Sequence, residues 1–434
     1  MAIPSGISAQ LGVIDEVYTN EVQSISGTAS GVFTLVFEGA TTATIALNAA
    51  AATVQAALEA LPSIGTGGVV CAGGALPAAV SVTFSGNNVR ARNVDLLTVG
   101  NGATGLTITT TTPGKGYGDF LAPTRFYELR DEGIAKETEY IRSAAIRTGK
   151  RVMRTARTAV NVKGAGGQWS KDVVTKGDGL LFKHMFGSSV ITTPSGATLT
   201  RDHTYVLASL CDISMVVQKG IPRQECVANN VDAFSYTGGK ITGWSLSCDV
   251  DGLLGLSLTQ DFMQEDTAQT LAAASYAASL EVLSFIGATI TIGGSNHPVR
   301  AFSLEGTNPV KTDRFYLRTS GLKKQPLQND LVSVTGSVEM DYDTLGRSVY
   351  DRFVSGTTAA FTALFEGSII EAGGAPTVNP KYGLLITIPA VRFTGTTPQV
   401  NGLDVTNVPL PFELLDDDTN EPITVRYRTT DAAD

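Results

Sequence analysis

Positive charge, histidine, tryptophan and cysteine are all scarce in this chain of 434 residues, and each shortage closes off a class of function. Lysine and arginine number 32 against 41 acids, a formal net charge of −9. Such a surface cannot neutralise a phosphate backbone, which argues against tight nucleic-acid binding and suits a surface that DNA slides past. The three histidines, His184, His203 and His297, form no H-E-x-x-H motif and have no serine or cysteine partner by spacing. Cys71, Cys211, Cys226 and Cys248 match no zinc or redox pattern. Cys248 alternates with Trp244 and Leu246, which reads as a buried free thiol and fits assembly in a reducing cytoplasm.

Long apolar runs are missing as well. The most apolar stretch, 43–61, is broken by Asn48, Gln55 and Glu59 and reads as an amphipathic helix on a sheet, not a membrane span. The start, MAIPSGISAQLG, has neither the basic nor the apolar segment of a signal peptide. The glycine clusters at 65–68 and 164–167 lack the G-x-x-x-x-G-K-[ST] pattern, and the acid runs 249–251 and 416–418 lack the spacing of a calcium loop. The expectation is a protein that is not an enzyme, with no cofactor, no metal and no membrane insertion.

What is abundant is glycine, 46 residues of it, with much threonine and valine. That composition favours a mainly β chain, and its length favours two or three domains. Within it the sequence repeats itself. Residues 167–187 align without a gap onto 336–356, with identities at Gly167/Gly336, Asp172/Asp341, Thr175/Thr344, Gly177/Gly346 and Gly187/Gly356. Upstream, Pro123-Thr-Arg125 matches Pro298-Val-Arg300, and in the same register Leu129 meets Leu304 and Lys136 meets Lys311. Downstream, Gly252-Leu253 matches Gly402-Leu403, Phe262 matches Phe412 and Asp266 matches Asp416. Blocks in a fixed order mark a repeated structural unit.

The organisation that follows is an N-terminal arm, 1–20; an α+β module, 21–114, poor in aromatic and basic residues; and two repeats, 115–283 and 284–434. Each repeat should be a β-sandwich or half-barrel with one short flanking helix. The helices are expected at 178–186, with Asp178 as N-cap, and at 348–355. Gly187 and Gly356 are the expected left-handed stops. Excising 21–114 would run the arm directly into the first repeat, so the module reads as an insertion displayed outward.

The strings APTRFYEL, TKGDGLLFKHMFG, KITGWSLSCDVDGLLGLSLTQDF, SVYDRFVSGT and ITVRYRTTD, in this order, resemble the major tail tube proteins of long non-contractile-tailed bacteriophages (siphophages). The 21–114 module resembles their small decoration domains more weakly. The resemblance implies a structural virion protein made in the host bacterial cytoplasm. Its subunits would close β-barrel rings that stack around a tape-measure protein, meet tail terminator and tail-tip proteins, and later pass phage DNA without specific binding. A duplicated chain implies a homotrimeric ring with pseudo-sixfold symmetry; a hexamer of whole chains is the competing arrangement. The rival function is a secreted or surface carbohydrate-binding or adhesive β-sandwich, which would need a signal peptide and clustered exposed rings, whereas only 7% of residues are aromatic.

Two basic loops stand out in this acidic chain. The first carries Arg142, Arg147, Lys150, Arg151, Arg154, Arg157 and Lys163 without an acid; the second carries Arg318, Lys323 and Lys324. They are expected to touch the next ring, with Asp249, Asp251, Glu265, Asp266, Asp416, Asp417 and Asp418 as acidic acceptors, the complementary charge fixing register.

Overall fold

The computed structural model describes residues 9–27, 31–86, 88–101, 104–223, 231–317, 321–372, 379–400 and 406–434, with Val162 and Lys163 described by backbone alone. The chain is mainly β, with three α-helices among these residues. It divides into two compact units, 16–119 and 1–15 with 120–434.

In unit 16–119 a four-stranded sheet runs Leu106–Thr112, Val22–Gly27, Val80–Phe84, Val69–Gly73. Val80, Val82 and Phe84 alternate inward, the two-residue period of a half-buried strand. Helix α1 (Ala51–Glu59) buries Val54 and Leu58 in the same core, where Phe37 stacks on Phe84 at 5.4 Å. Buried Glu21 and Gln23 are satisfied locally: Glu21 accepts from the backbone of Val94 and Gln23 from that of Leu97. Thr19 and Lys115 pair across the neck of the unit.

The larger unit holds two sets of antiparallel strands. Across the first, pairing runs Arg125–Tyr127, Gln10–Asp15, Met215–Pro222, Val231–Asp249, Gly255–Phe262, Thr158–Asp172 and Ala135–Arg142. Across the second it runs Ser295–His297, Ala288–Ile292, Ala359–Ile369, Lys381–Phe393, Asn407–Leu414, Ser333–Asp341 and Ala301–Thr307. Position for position the two orders are the same. The sets are joined by a ladder from Gly243↔Thr307 to Asp249↔Ala301. A further strand, Thr424–Thr429, pairs with both Lys381–Phe393 and Arg201–Val206.

Side-chain alternation gives this sheet two different faces. Trp169, Leu258, Trp244, Leu246, Leu304, Val338 and Leu410 point into one core. The residues between them form a polar row that steps across six strands and through the joining ladder: Ser170, Ser257, Ser245, Glu305, Thr335, Glu413. All six are half-buried or exposed. Four of the six are serine or threonine, and none of the six is apolar.

Helix α2 (Gly179–Phe186) follows Thr158–Asp172, and helix α3 (Thr344–Ser355) follows Ser333–Asp341. Both stop at glycines in the left-handed region, Gly187 (φ 87°) and Gly356 (φ 69°), where an L side chain would be strained. Two details differ from expectation. Asp178 makes no side-chain cap; its carboxylate instead accepts from the Val174 backbone at 2.9 Å and pairs with Lys171. Helix α3 begins four residues before 348, because Asp343 caps it by accepting from Leu345 and Gly346.

The upstream alignment also shifts. Arg300 donates its N–H to Glu339 and pairs with Asp341 at 2.6 Å; the residue that does the same toward Ser170 and Asp172 is Arg130, not Arg125. The Pro-x-Arg match therefore slips by five residues. Arg125 is engaged elsewhere, donating to the backbone carbonyl of Ala433 at 3.2 Å.

Candidate assembly surfaces

The first basic loop joins Ala135–Arg142 to Thr158–Asp172 and projects beyond the sheet. Arg142, Arg147, Lys150, Arg151 and Arg157 are exposed and Arg154 is half-buried. A single 3-10 turn, Thr155–Arg157, is its only helical piece. The loop also bears apolar side chains that touch little of their own chain: Ile146 is 99% exposed, Val152 82% and Met153 50%. Six cations with no acid are mixed there with bare aliphatics. The side chain of Lys163 and all of Arg318 lie outside the described residues.

In the second loop Lys324 is exposed, its ammonium 5.2 Å from the Tyr316 ring centre. Lys323 corrects the expectation of an exposed contact. Its side chain is buried and pairs with Asp261, so its charge is spent within the fold. Burial outweighs that ammonium and holds the Asp261 carboxyl up to about 6.

The expected acceptors do not gather in one place. Asp172 lies opposite Gly255, which lies opposite Ser247. Asp249 and Asp251, in the turn that follows, are therefore at the end of the sheet away from the first basic loop. Glu265 and Asp266 sit beyond Phe262, at the loop's own end, with Glu265 accepting from Tyr236 at 3.1 Å. Asp416, Asp417 and Asp418 follow Leu414, at the end where Ser333 begins its strand. There Asp417 accepts from the backbones of Thr419 and Asn420, an ordinary turn contact.

Open strand edges are the second assembly feature. Ala135–Arg142 pairs on one side with Thr158–Asp172, and among the described residues no strand pairs with its other side; all eight residues are exposed. At the far side of the second set, Lys381–Phe393 ends where Val231–Asp249 continues into the joining ladder. Unpaired strand edges are templates for further pairing.

Several functional-looking polar groups were invisible in the sequence. His184 and Lys183 both reach Asp15, tying α2 to Gln10–Asp15, with Lys183 at 2.5 Å. Burial alone would raise the Asp15 carboxyl, but those two partners carry it down to about 2. His203 donates from Nε2 to the Asp431 carbonyl (2.8 Å) and pairs through Nδ1 with the Asp434 carboxylate (3.0 Å). Lys219 pairs with Glu132 at 2.9 Å. Long-range pairs of this kind have no characteristic spacing. No group of three or more potential metal ligands occurs among the described residues, and no helix there is long and apolar enough to cross a membrane.

The chain belongs to the phage tail tube protein family, whose model matches residues 100–414. No curated protein matches the chain.

Proposed function

We propose that this chain is the major tail tube subunit of a siphophage. Three copies close head to tail into a ring, and rings stack around a tape-measure protein into the conduit that delivers the genome. The observation that carries this is the ladder from Gly243↔Thr307 to Asp249↔Ala301, which joins two strand sets of the same pairing order. If 115–283 and 284–434 are copies of one unit, that ladder is one of the ring's own junctions, already made within the chain. The same junction repeated between chains brings residues 131–137, the counterparts of 301–307, beside the segment after Phe393 of a neighbour. Closure then leaves no edge unpaired. A contact that repeats head to tail and returns on itself makes a ring.

The polar row supports a bore lined by this face. Its Ser and Thr hydroxyls with Glu305 and Glu413 offer DNA no ammonium or guanidinium to hold it. The nearest cation in the row is Arg392, beside Glu413. The first basic loop, projecting along the strand direction, is the contact between rings.

Electron microscopy of the purified protein tests this. Rings of three chains with pseudo-sixfold density, and tubes built from them, are the expected result. Monomers without rings, or rings of six whole chains, would overturn it.

A further inference from the structure

Beside the joining ladder lies a pocket of 240 Å³ formed by parts of both strand sets. Its walls are Val250, Pro298, Val299, Met340 and Leu345, with Asp341 and Asp343 at the rim. Asp249 and Asp251 flank exposed Val250 in the adjoining turn, and Arg300 is already paired with Asp341. The wall of Val250 and residues 298–300 is shared with a second cavity of 350 Å³, floored by Ile290, Phe302 and Phe365. There the Nε2 of buried His297 has no hydrogen-bond partner. The mouth is acidic and the depth is apolar.

We infer that this junction pocket receives the 143–157 loop of a second copy in the adjacent ring. The inference rests on the stacked-ring reading above and names the surface on which stacking occurs. Three observations favour this occupant. Pocket and loop stand at opposite ends of the strand ladder. Thr158–Asp172 alone spans about 45–50 Å, so stacking in one direction brings the loop of one ring to the pocket of the next. The loop's surplus of cations meets the acids at 249, 251 and 343, and its bare Ile146, Val152 and Met153 match the apolar depth. Among the described residues, each chain has one such loop and one such pocket.

The first strand set explains the choice of register. It carries a pocket of 230 Å³ beside the corresponding Arg130–Asp172 pair, but that lining holds Arg125, Lys171 and Lys176 against Glu128 and Asp172. Lys171 there is paired with Asp178, which leaves Arg125 and Lys176 against Glu128 and Asp172. The junction pocket sets Arg300 against Asp341 and Asp343, with Asp249 and Asp251 beside it, and is the more acidic of the two. Stacking is thus keyed to the threefold repeat of whole chains, not to the pseudo-sixfold repeat of strand sets.

The test uses the full-length protein in three forms: Asp249→Lys with Asp251→Lys, Arg151→Glu with Arg154→Glu, and all four together. Ring content is read by electron microscopy, tube yield by sedimentation, and folding by the melting temperature. Each double variant should keep rings and melting temperature but lose about tenfold or more in tube yield, and the quadruple should recover most of it, because swapped charges restore the pair. Val152→Asp with Met153→Asp should lose tubes without rescue by the acid-to-lysine changes. Tubes that ignore the Asp249/Asp251 reversal, or a quadruple variant no better than either double, would overturn the docking while leaving the ring proposal standing. Absence of rings from the unaltered chain would overturn both.

Discussion

Helices α2 and α3 follow corresponding strands, yet one is swallowed by the fold and the other rides on its surface. Seven of the eight residues of α2 are buried, against two of twelve in α3. The difference is not in the helices alone but in what covers them. Phe182 packs on Tyr205 and Tyr427, Phe186 on Trp244, and Asn308 donates to the Met185 carbonyl at 2.9 Å. Tyr427 lies on the further strand Thr424–Thr429, and Asn308 directly follows Ala301–Thr307 of the second strand set. Around α3 the rings of Tyr342, Tyr350 and Phe353 pack on one another, and Val354 is 65% exposed. In the proposed ring, the neighbour's first strand set would give α3 the cover that the second set gives α2.

The largest effect should come from breaking a junction. Proline at Leu304, in a strand laddered on both sides and fully buried, removes a donor and a core side chain together. It should cost roughly 3 kcal/mol or more and yield insoluble or unfolded protein. Proline scanned through residues 135–137, on the open edge opposite the counterpart of the joining ladder, should divide into two classes. Where the N–H faces Thr158–Asp172 the hairpin suffers; where it faces away, melting is unchanged and only rings are lost. Uniform behaviour along this strand would remove its role as a joining edge.

A smaller contrast separates the helices themselves. Phe182→Ala empties a site with no solvent exposure and should destabilise the unit by about 3–5 kcal/mol in denaturant melts. Tyr350→Ala, on half-covered α3, should cost under about 1 kcal/mol in the isolated chain. Within assembled rings the Tyr350 effect should grow toward that of Phe182. An equal effect in both states would mean that α3 stays uncovered.

These contrasts mark what the sequence could and could not reveal. Alternation of apolar residues marks 79–84, 386–393 and 408–414 as strands. Val80–Phe84 and Asn407–Leu414 differ by one residue at their starts and Lys381–Phe393 by five, because one-sided burial enforces a period of two but does not mark where pairing begins. Gly187 and Gly356 were legible because only backbone geometry chooses them. Asp178 was misread since an acid before an apolar helix looks like a cap; that it faces a lysine seven residues upstream on a buried strand position is a tertiary fact. Lys323 was misread for the same reason: a cation in a loop shows nothing of Asp261, which is 62 residues away. The junction pocket draws on residues 250, 298–300 and 340–345 and has no local signature at all.

The contact of Asp15 with α2 predicts a pH response on the covered helix. Asp15 has a folded-state value of about 2, below its ordinary 3.8. A depressed carboxylate contributes stability that is present above its unfolded value and is lost as pH falls toward the folded one. The window is therefore about pH 4 to 2. With a third of its side chain facing solvent, Asp15 should contribute on the order of 1 kcal/mol. Asp15→Asn should remove that part of the acid sensitivity, and a melt series unchanged between the two proteins would show that α2 is held by its apolar face alone.

Removal of residues 16–119 should disturb the comparison least. That unit has its own core around Phe37, Val54 and Phe84, and Thr19 and Lys115 pair at its neck. A short glycine–serine link between Asp15 and Phe120 therefore needs to span little. Gln10–Asp15 would still pair with Met215–Pro222, and Lys183 and His184 would still reach Asp15. The shortened protein should keep the melting transition of the larger unit and form rings of the same bore. Loss of that transition would mean that the unit supports the strand to which it is attached, so that the burial of α2 depends on more than the two strand sets around it.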